Sequence, residues 1–373
     1  LSDRLHEELT KSFIDKRASV LARGLKQDIS FETKIENGEK VLINNQFIGN
    51  LKGLKLELDF KVGDLETDIK SLKKAARQNV SPEISKRINQ IIEGKQIELK
   101  EDRKIYWNNF PIAILAKGAD YLSPELNLIV DDIVENDEKL KLYSFLKKWI
   151  DTKIVSDLDS LLKLKSINSV NSQIRALSYQ LYENNGVVKR EEVLDIIENL
   201  NQEERKTLRD LGVKFGRYHI FLFKLFKPSV VSLRILLWKN FNGEDLNLLP
   251  PTFGLNFVND VKYKNKKFML LCGFEKFDSF FVRIDILERL FIEIINSIES
   301  KTDKIKLIPK MLNLLGCNKE SFVKVIKLMG YKVFDEKNET FFKYKPFKKI
   351  KKSLDLKIKK DNPFEALKQL DLK

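Results

Sequence analysis

Hydrophobic positions recur at helical spacing along much of the chain and alternate in shorter stretches. The pattern predicts an α+β, predominantly helical protein built from several modules. Over Asp3–Leu25, the residues Leu5, Leu9, Phe13, Ala18, Leu21 and Leu25 fall three to five apart, giving one apolar helical face. From about Ile29 to Phe60 the period changes. Short alternating runs are broken by Asn37-Gly38, Asn44-Asn45 and Gly53, as hairpins of a small β module require. Helical periodicity resumes over Leu65–Arg77 and again from Ser81, an N-cap residue with Pro82 at the first helical position. A short strand pair, IELKEDRKIYW, follows. Residues Pro111 to Asn185 read as mostly helical, the longest pattern being Leu140–Leu164 with Trp149 and Ile150 in its apolar set. The acidic run at 131–139, DDIVENDEK, reads as a solvated face or loop.

Two later segments echo one another. Asn201 and Glu204 form a capping-box pattern ahead of a helix ending in LRDLG, and VKFGRYHIFLF then reads as strand-rich. Asn318 caps ESFVKVIKLM, Gly330 ends it, and YKVFDEKNETFFKYK reads as a hairpin around Asp335–Asn338. A short helical pattern precedes each (Glu191–Leu200 and Lys306–Leu315). Helix, turn, helix, hairpin is the order of a winged helix, although other small α+β modules share it. The expected divisions are a helix over 1–27, the β module over 28–62 and a helical region with a hairpin over 63–165. Winged-helix-like modules follow over 166–300 and 301–346, and a basic tail over 347–373.

Charge sharpens the picture. The 373 residues carry a formal net charge of +14, which favours a polyanionic partner, nucleic acid before a membrane surface. No apolar run approaches the ~18–20 residues of a membrane span, so no membrane partner is expected. Nine lysines and one aspartate lie in Lys343–Lys360, a solvated, flexible stretch by composition. Cys272 and Cys317 stand alone, which disfavours a disulfide framework or a four-ligand zinc site and points to a reducing, cytoplasmic compartment. The chain begins at Leu1 without Met and is charged there rather than signal-like, which reads as a fragment or processed product.

Catalytic motifs are missing: no phosphate-binding GxxxxGK[ST], no GxGxxG after a strand, no HExxH. No catalytic residue, metal ligand or cofactor site is therefore assigned within the chain. Of the two histidines, His6 reads as a surface residue and His219 as a structural or base-stacking one. Glu98-Leu99-Lys100 and Glu204-Arg205-Lys206 match the short Glu-x-Lys pattern of metal nucleases, a match expected by chance in a chain with 33% charged residues. Cations interleaved with aromatics are the productive signal, because lysines neutralise phosphates while rings stack on bases. Three clusters qualify: Lys214, Arg217, Tyr218 and His219; Lys262, Tyr263, Lys264, Lys266 and Lys267; and Lys343, Tyr344, Lys345, Lys348 and Lys349. In each, the rings also read as core residues with the cations on the opposite, solvated face.

Six blocks occur in order: RLHEELTKSFIDKRASVL (Arg4–Leu21), IYWNNFPIAIL (Ile105–Leu115), ERKTLRDLGVKFGRYHIFLFKLFKP (Glu204–Pro228), LRILLW (Leu233–Trp238), VRIDILERL (Val282–Leu290) and NPFEAL (Asn362–Leu367). Together they resemble the C-terminal half of alphaproteobacterial superfamily-2 helicases related to the mitochondrial degradosome RNA helicase. Phe223 stands where that family often has Pro. The resemblance implies that two ATPase lobes precede this region, so that ATP and Mg²⁺ belong to an upstream motor in the same polypeptide. It further implies that this chain guides the unwound RNA or single-stranded nucleic acid and couples the motor to partners, a ribonuclease among them. A non-enzymatic protein-docking module is the alternative, and a stand-alone metal nuclease a third.

Overall fold

The structure is a computed structural model that describes residues 4–5, 33–43, 45–58, 66–94, 96–167, 171–243, 248–261, 263, 265–298, 304–336 and 339–344. The expected N-terminal helix, beyond the helical residues 4–5, and the basic tail after Tyr344 lie outside the described residues. About 49% of the described residues are helix and 25% strand, the strands forming several small antiparallel sheets, so the class is mixed α+β. Two compact units divide it, Leu1–Arg289 and Leu290–Lys373.

The first unit opens with the expected β module, a meander of β1 (Thr33–Glu36), β2 (Lys40–Ile43), β3 (Gln46–Lys52) and β4 (Lys55–Leu58). Asn37 and Gly38 turn β1 into β2 with φ of 51° and 73°, the left-handed pair a tight hairpin needs. Helix α1 (Glu66–Glu93) follows and runs unbroken through Pro82, where two separate helices were expected. Tertiary packing outweighs the lost backbone bond. Val80, Ile84, Ile88 and Ile91 are buried in the core that also holds Ile48, Leu51 and Leu54 of the meander. Arg87 of α1 pins the meander, donating to the carbonyls of Leu51 (3.2 Å), Gly53 (2.8 Å) and Gly38 (2.5 Å).

The stretch after α1 differs from expectation. Strands β5 (Ile97–Leu99) and β6 (Lys104–Trp107) are joined by β7 (Phe110–Ala116) and β8 (Glu125–Leu128) in a second four-stranded meander, so Pro111–Leu128 is not helical. Asn108 and Asn109, at φ 45° and 67°, make the β6–β7 turn, and Ile112, Ala113 and Leu115 fill the core. Of the acidic run, Asp131 is not solvated. It is 1% exposed, accepts from Leu56 N (3.3 Å) and pairs with Arg77 Nε at 3.0 Å, tying the two meanders to α1. Helix α2 (Asn136–Lys165) then buries Leu142, Leu146, Ile150, Ile154 and Leu161.

From here one element order occurs twice in full and once with a single helix ahead of the hairpin. The first module comprises α3 (Ser172–Glu183), β9 (Val187–Lys189), a 3₁₀ turn with α4 (Leu194–Glu198), α5 (Gln202–Asp210), β10 (Val213–Phe215) and β11 (His219–Leu222). The second comprises α6 (Pro228–Asn242), β12 (Phe257–Asn259), α7 (Lys266–Leu271), β13 (Phe274–Phe277) and β14 (Phe280–Arg283). The third comprises α8 (Ile284–Asn296), which crosses the boundary between the units, β15 (Ile305–Lys306), α9 (Pro309–Leu315), α10 (Lys319–Leu328), β16 (Tyr331–Glu336) and β17 (Glu339–Tyr344). In every copy the last strand lies in the middle, paired antiparallel to the other two.

The same local chemistry builds each copy. The helix before the hairpin starts at an asparagine whose Oδ1 accepts the N–H three residues on: Asn201 from Glu204 (2.9 Å), Asn265 from Phe268 (3.0 Å), Asn318 from Ser321 (2.9 Å). It ends at a glycine with φ near +90°, namely Gly212, Gly273 and Gly330. The next residue is the first buried side chain of the hairpin: Val213, Phe274 or Tyr331. Helix α6 carries apolar residues on two faces because it lies between two cores. Val230, Leu233, Leu236 and Leu237 face the first, and Val231 and Ile235 the second.

Candidate nucleic-acid interface

The predicted residues Lys214, Arg217, Tyr218 and His219 do come together, on the β10–β11 hairpin. Lys214 and Arg217 are exposed and Tyr218 is half-buried, while His219 is 3% exposed. The hairpin turn curls around a carboxylate from α8. Glu288 accepts the backbone N–H groups of Arg217 (2.5 Å), Tyr218 (2.9 Å) and His219 (2.8 Å). Glycine at 216 is a consequence, since a Cβ there would lie 2.4 Å from Glu288 Cδ. The distinctive LGVKFGRY sequence is thus accounted for locally: one glycine ends α5, the other admits Glu288.

His219 lies between two carboxylates. Its Nε2 is 3.3 Å from Glu275 Oε2 on β13 and its Nδ1 is 3.5 Å from Glu288 Oε1; Lys189 on β9 also pairs with Glu275, at 3.0 Å. Burial pushes the imidazole toward the neutral form, but Glu275 and Glu288 outweigh it and raise its pKa above the ordinary 6.5. Burial likewise opposes charge on Glu275, yet His219 and Lys189 prevail and hold its pKa below 4.5. This buried network joins β11 of the first module to β13 of the second and to α8. His219 is therefore placed as a structural residue, with no ring face open to a base.

The second predicted cluster is divided. Lys266 and Lys267 are exposed on α7, while Lys262 and Lys264 lie outside the described residues. Of the third, Lys343 and Tyr344 are exposed on β17, and Lys345, Lys348 and Lys349 lie outside the described residues, as does His6. Neither Glu-x-Lys match forms a metal-nuclease arrangement. Glu204 is occupied by the capping box, accepting from Asn201 N at 2.8 Å, and Glu98 sits exposed on β5, 3.8 Å from Lys100. Among the described residues no group of three or more His, Cys, Asp or Glu side chains is placed to hold a metal ion. Burial raises both thiols, Cys272 to about 12 and Cys317 to about 11, so neither is a ready nucleophile. No described helix is long and apolar enough to cross a membrane.

Sequence reasoning named Lys343 on the third module but passed over Lys324, Lys327 and Lys332. Lys324 and Lys327 stand one turn apart on the outer face of α10, whose inner face buries Phe322, Val325 and Ile326. Lys332 and Lys343 are exposed and directly opposite one another on β16 and β17. The signal was legible, since ESFVKVIKL has lysines at i and i+3 on the polar side of an apolar stripe. No family model, curated protein or solved structure matches this chain.

Proposed function

We propose that this chain holds nucleic acid through winged-helix-like modules, as the accessory region of an ATP-driven RNA or DNA helicase. The observation that carries the holding role is the repeated element order, helix–strand–helix–helix–hairpin with the last strand central, in the first and third modules. In that architecture the helix before the hairpin faces the nucleic acid. In the third module this helix is α10, and its outward positions carry Lys324 and Lys327. The net charge of +14 and the lysine-rich tail supply the long-range attraction. The helicase setting is supported by the ordered sequence blocks alone. On it, ATP and Mg²⁺ are bound by motor lobes outside these residues, and the chain by itself turns over no ATP.

The test is a fluorescence-anisotropy titration of labelled single- and double-stranded RNA and DNA at ~50 mM salt. Wild type binds, and Lys324→Glu/Lys327→Glu weakens binding by about tenfold or more, since each lysine contributes a phosphate contact and each glutamate repels one. A wild type that binds none of these ligands sinks the proposal. That result would favour a protein-docking role, for which the exposed Leu249, Phe253 and Leu255 beside Pro250-Pro251 are the surface.

A further inference from the structure

A proline-bearing segment of the second module walls a cavity. Residues 248–255 run from α6 toward β12 and are anchored at both ends. Lys239 of α6 donates to the Leu248 carbonyl, and the Asn256 carbonyl accepts from Arg283 N (2.9 Å). Pro250 and Pro251 fix two φ angles between those anchors. Gly254 at φ 97° turns the chain where Leu255 N donates to the Thr252 carbonyl (3.2 Å). The cavity is walled by this segment and by Phe226 and Pro228, which close the turn Phe223–Phe226 and open α6; it holds about 90 Å³. A small-molecule site usually takes roughly 300–1,000 Å³, so there is room here for one flat ring and not for a cofactor.

Its walls are apolar and its rim is cationic. Phe226, Pro228 and Phe274 line it, as does Cys272, whose thiol burial holds neutral. Phe253 lines it too but is 51% exposed, and its ring meets no other ring and no cation among the described residues. Arg283 supplies the polar group. Asp285 binds its Nε (2.9 Å) and Nη2 (2.6 Å), which fixes the guanidinium beside the cavity and leaves Nη1 without an acceptor among the described residues. Lys227, between the lining residues Phe226 and Pro228, is exposed, and the exposed Lys224 precedes it by one 3₁₀ turn, on the same side. Neither lysine pairs with a carboxylate among the described residues. A ligand that fits brings a flat apolar ring, an acceptor on the edge of that ring and an anion beside it. A nucleotide unit of a single strand has all three, whereas a duplex keeps its bases stacked out of reach. A protein's phenylalanine would fill the walls but leave Arg283 Nη1 and both lysines unanswered.

We propose that the cavity between the Phe223–Phe226 turn and the 248–255 segment is a base slot for single-stranded nucleic acid. One base stacks on the Phe253 ring with its edge in the cavity. The acceptor on that edge meets Arg283 Nη1, and the neighbouring phosphates meet Lys224 and Lys227. The assignment rests on the nucleic-acid reading above and adds to it a contact in the first unit, made by other residues than Lys324 and Lys327. Both ends of the segment are anchored and Asp285 holds the arginine, so the slot is formed before the strand arrives and little ordering opposes binding. RNA and DNA single strands bind alike, since a ring face does not read the 2′-hydroxyl.

The experiment titrates the full chain with fluorescent oligo(U) and oligo(dT) of about ten nucleotides at ~50 mM salt. The chain is used as wild type, Phe253→Leu, Phe253→Trp, Lys224→Glu/Lys227→Glu and Lys324→Glu/Lys327→Glu. Leucine keeps the apolar bulk and removes the ring, so Phe253→Leu should lose about fivefold or more on both strands, the contribution of one stacked base. Lys224→Glu/Lys227→Glu should lose about tenfold. Phe253→Trp should bind at least as tightly as wild type, and unlabelled oligo(U) should quench the emission of the added tryptophan. Phe253→Leu that binds as wild type overturns the slot, and a weakened Lys324→Glu/Lys327→Glu in the same titration leaves the proposed function standing. Phe253→Trp emission that does not change at saturation overturns the slot too. So does quenching by an acidic, phenylalanine-bearing peptide but not by oligo(U), which assigns the cavity to a protein partner. Wild type that binds neither strand overturns both the slot and the proposed function.

Discussion

Removing the Glu288 carboxylate tests how the β10–β11 hairpin is held. Glu288→Ala deprives three backbone donors, at Arg217, Tyr218 and His219, of their shared acceptor and leaves the His219 ring with Glu275 alone. The carboxylate is itself 9% exposed, so water replaces it only in part. Losing one partner of a buried, hydrogen-bonded charge cluster costs ~3–5 kcal/mol. The exposed loop at Arg217 recovers some of that, so about 3 kcal/mol is expected. Trp107, Trp149 and Trp238, the three tryptophans of the chain, all precede Arg289, so tryptophan fluorescence during urea unfolding reports the first unit alone. The midpoint should fall, at unchanged slope, by an amount equal to ~3 kcal/mol. Glu293→Ala, which breaks an exposed pair with Lys310, should change stability by under ~1 kcal/mol in far-UV circular dichroism. A Glu288→Ala midpoint within ~1 kcal/mol of wild type would refute the network.

Two further outcomes follow from the same site. Gly216→Ala places a Cβ 2.4 Å from Glu288 Cδ, so either the turn or the carboxylate must shift; about 2 kcal/mol should be lost in the same unfolding assay, and a neutral substitution would contradict the close approach. Because His219 has a raised folded pKa, its contribution is complete below the ordinary 6.5 and disappears as pH rises through the folded value. Glu275, with a lowered folded pKa, contributes fully above 4.5 and loses that contribution as pH falls through its folded value. The stability gap between wild type and His219→Gln should therefore be widest between pH 4.5 and 6.5 and narrow on the alkaline side; a gap that widens toward pH 9 would contradict the assignment.

Local chemistry was the most readable part of the chain. The Asn37-Gly38 turn, the Asn201–Glu204 capping box and the Asn318 cap each stand where residue type and spacing put them, because each depends on neighbours within four positions. What failed to read depends on distant partners. Pro82 signalled a helix start, but the core around Ile84 and Ile88 carries the helix through it. Asp131 sat in an acidic run and is nonetheless buried, since Arg77 and Leu56 N, far away in sequence, meet it. The β7–β8 pair was lost because FPIAILA is apolar throughout, and a fully buried strand has no alternation to show. The second module escaped because Asn265 and Gly273 enclose a single short helix, where the other copies have two helices ahead of the hairpin. For the candidate site, composition pointed to cations beside aromatics, and register decided which were usable. His219 is taken by two glutamates, while Lys324 and Lys327 reach solvent on α10.

The central claim, that the third module grips nucleic acid by charge, is met most directly by the salt dependence of single-strand affinity. Dissociation constants for oligo(U) measured between ~50 and ~200 mM salt should give a log–log slope for association at least as steep as about −2.8, with Lys324, Lys327, Lys332 and Lys343 each neutralising one phosphate at ~0.7 per contact. Replacing all four by Ala should make the slope shallower by about 2.8, and any slope that remains belongs to other lysines, those of the tail among them. A wild-type affinity that does not change with salt, or a slope unaltered by the four substitutions, contradicts the claim.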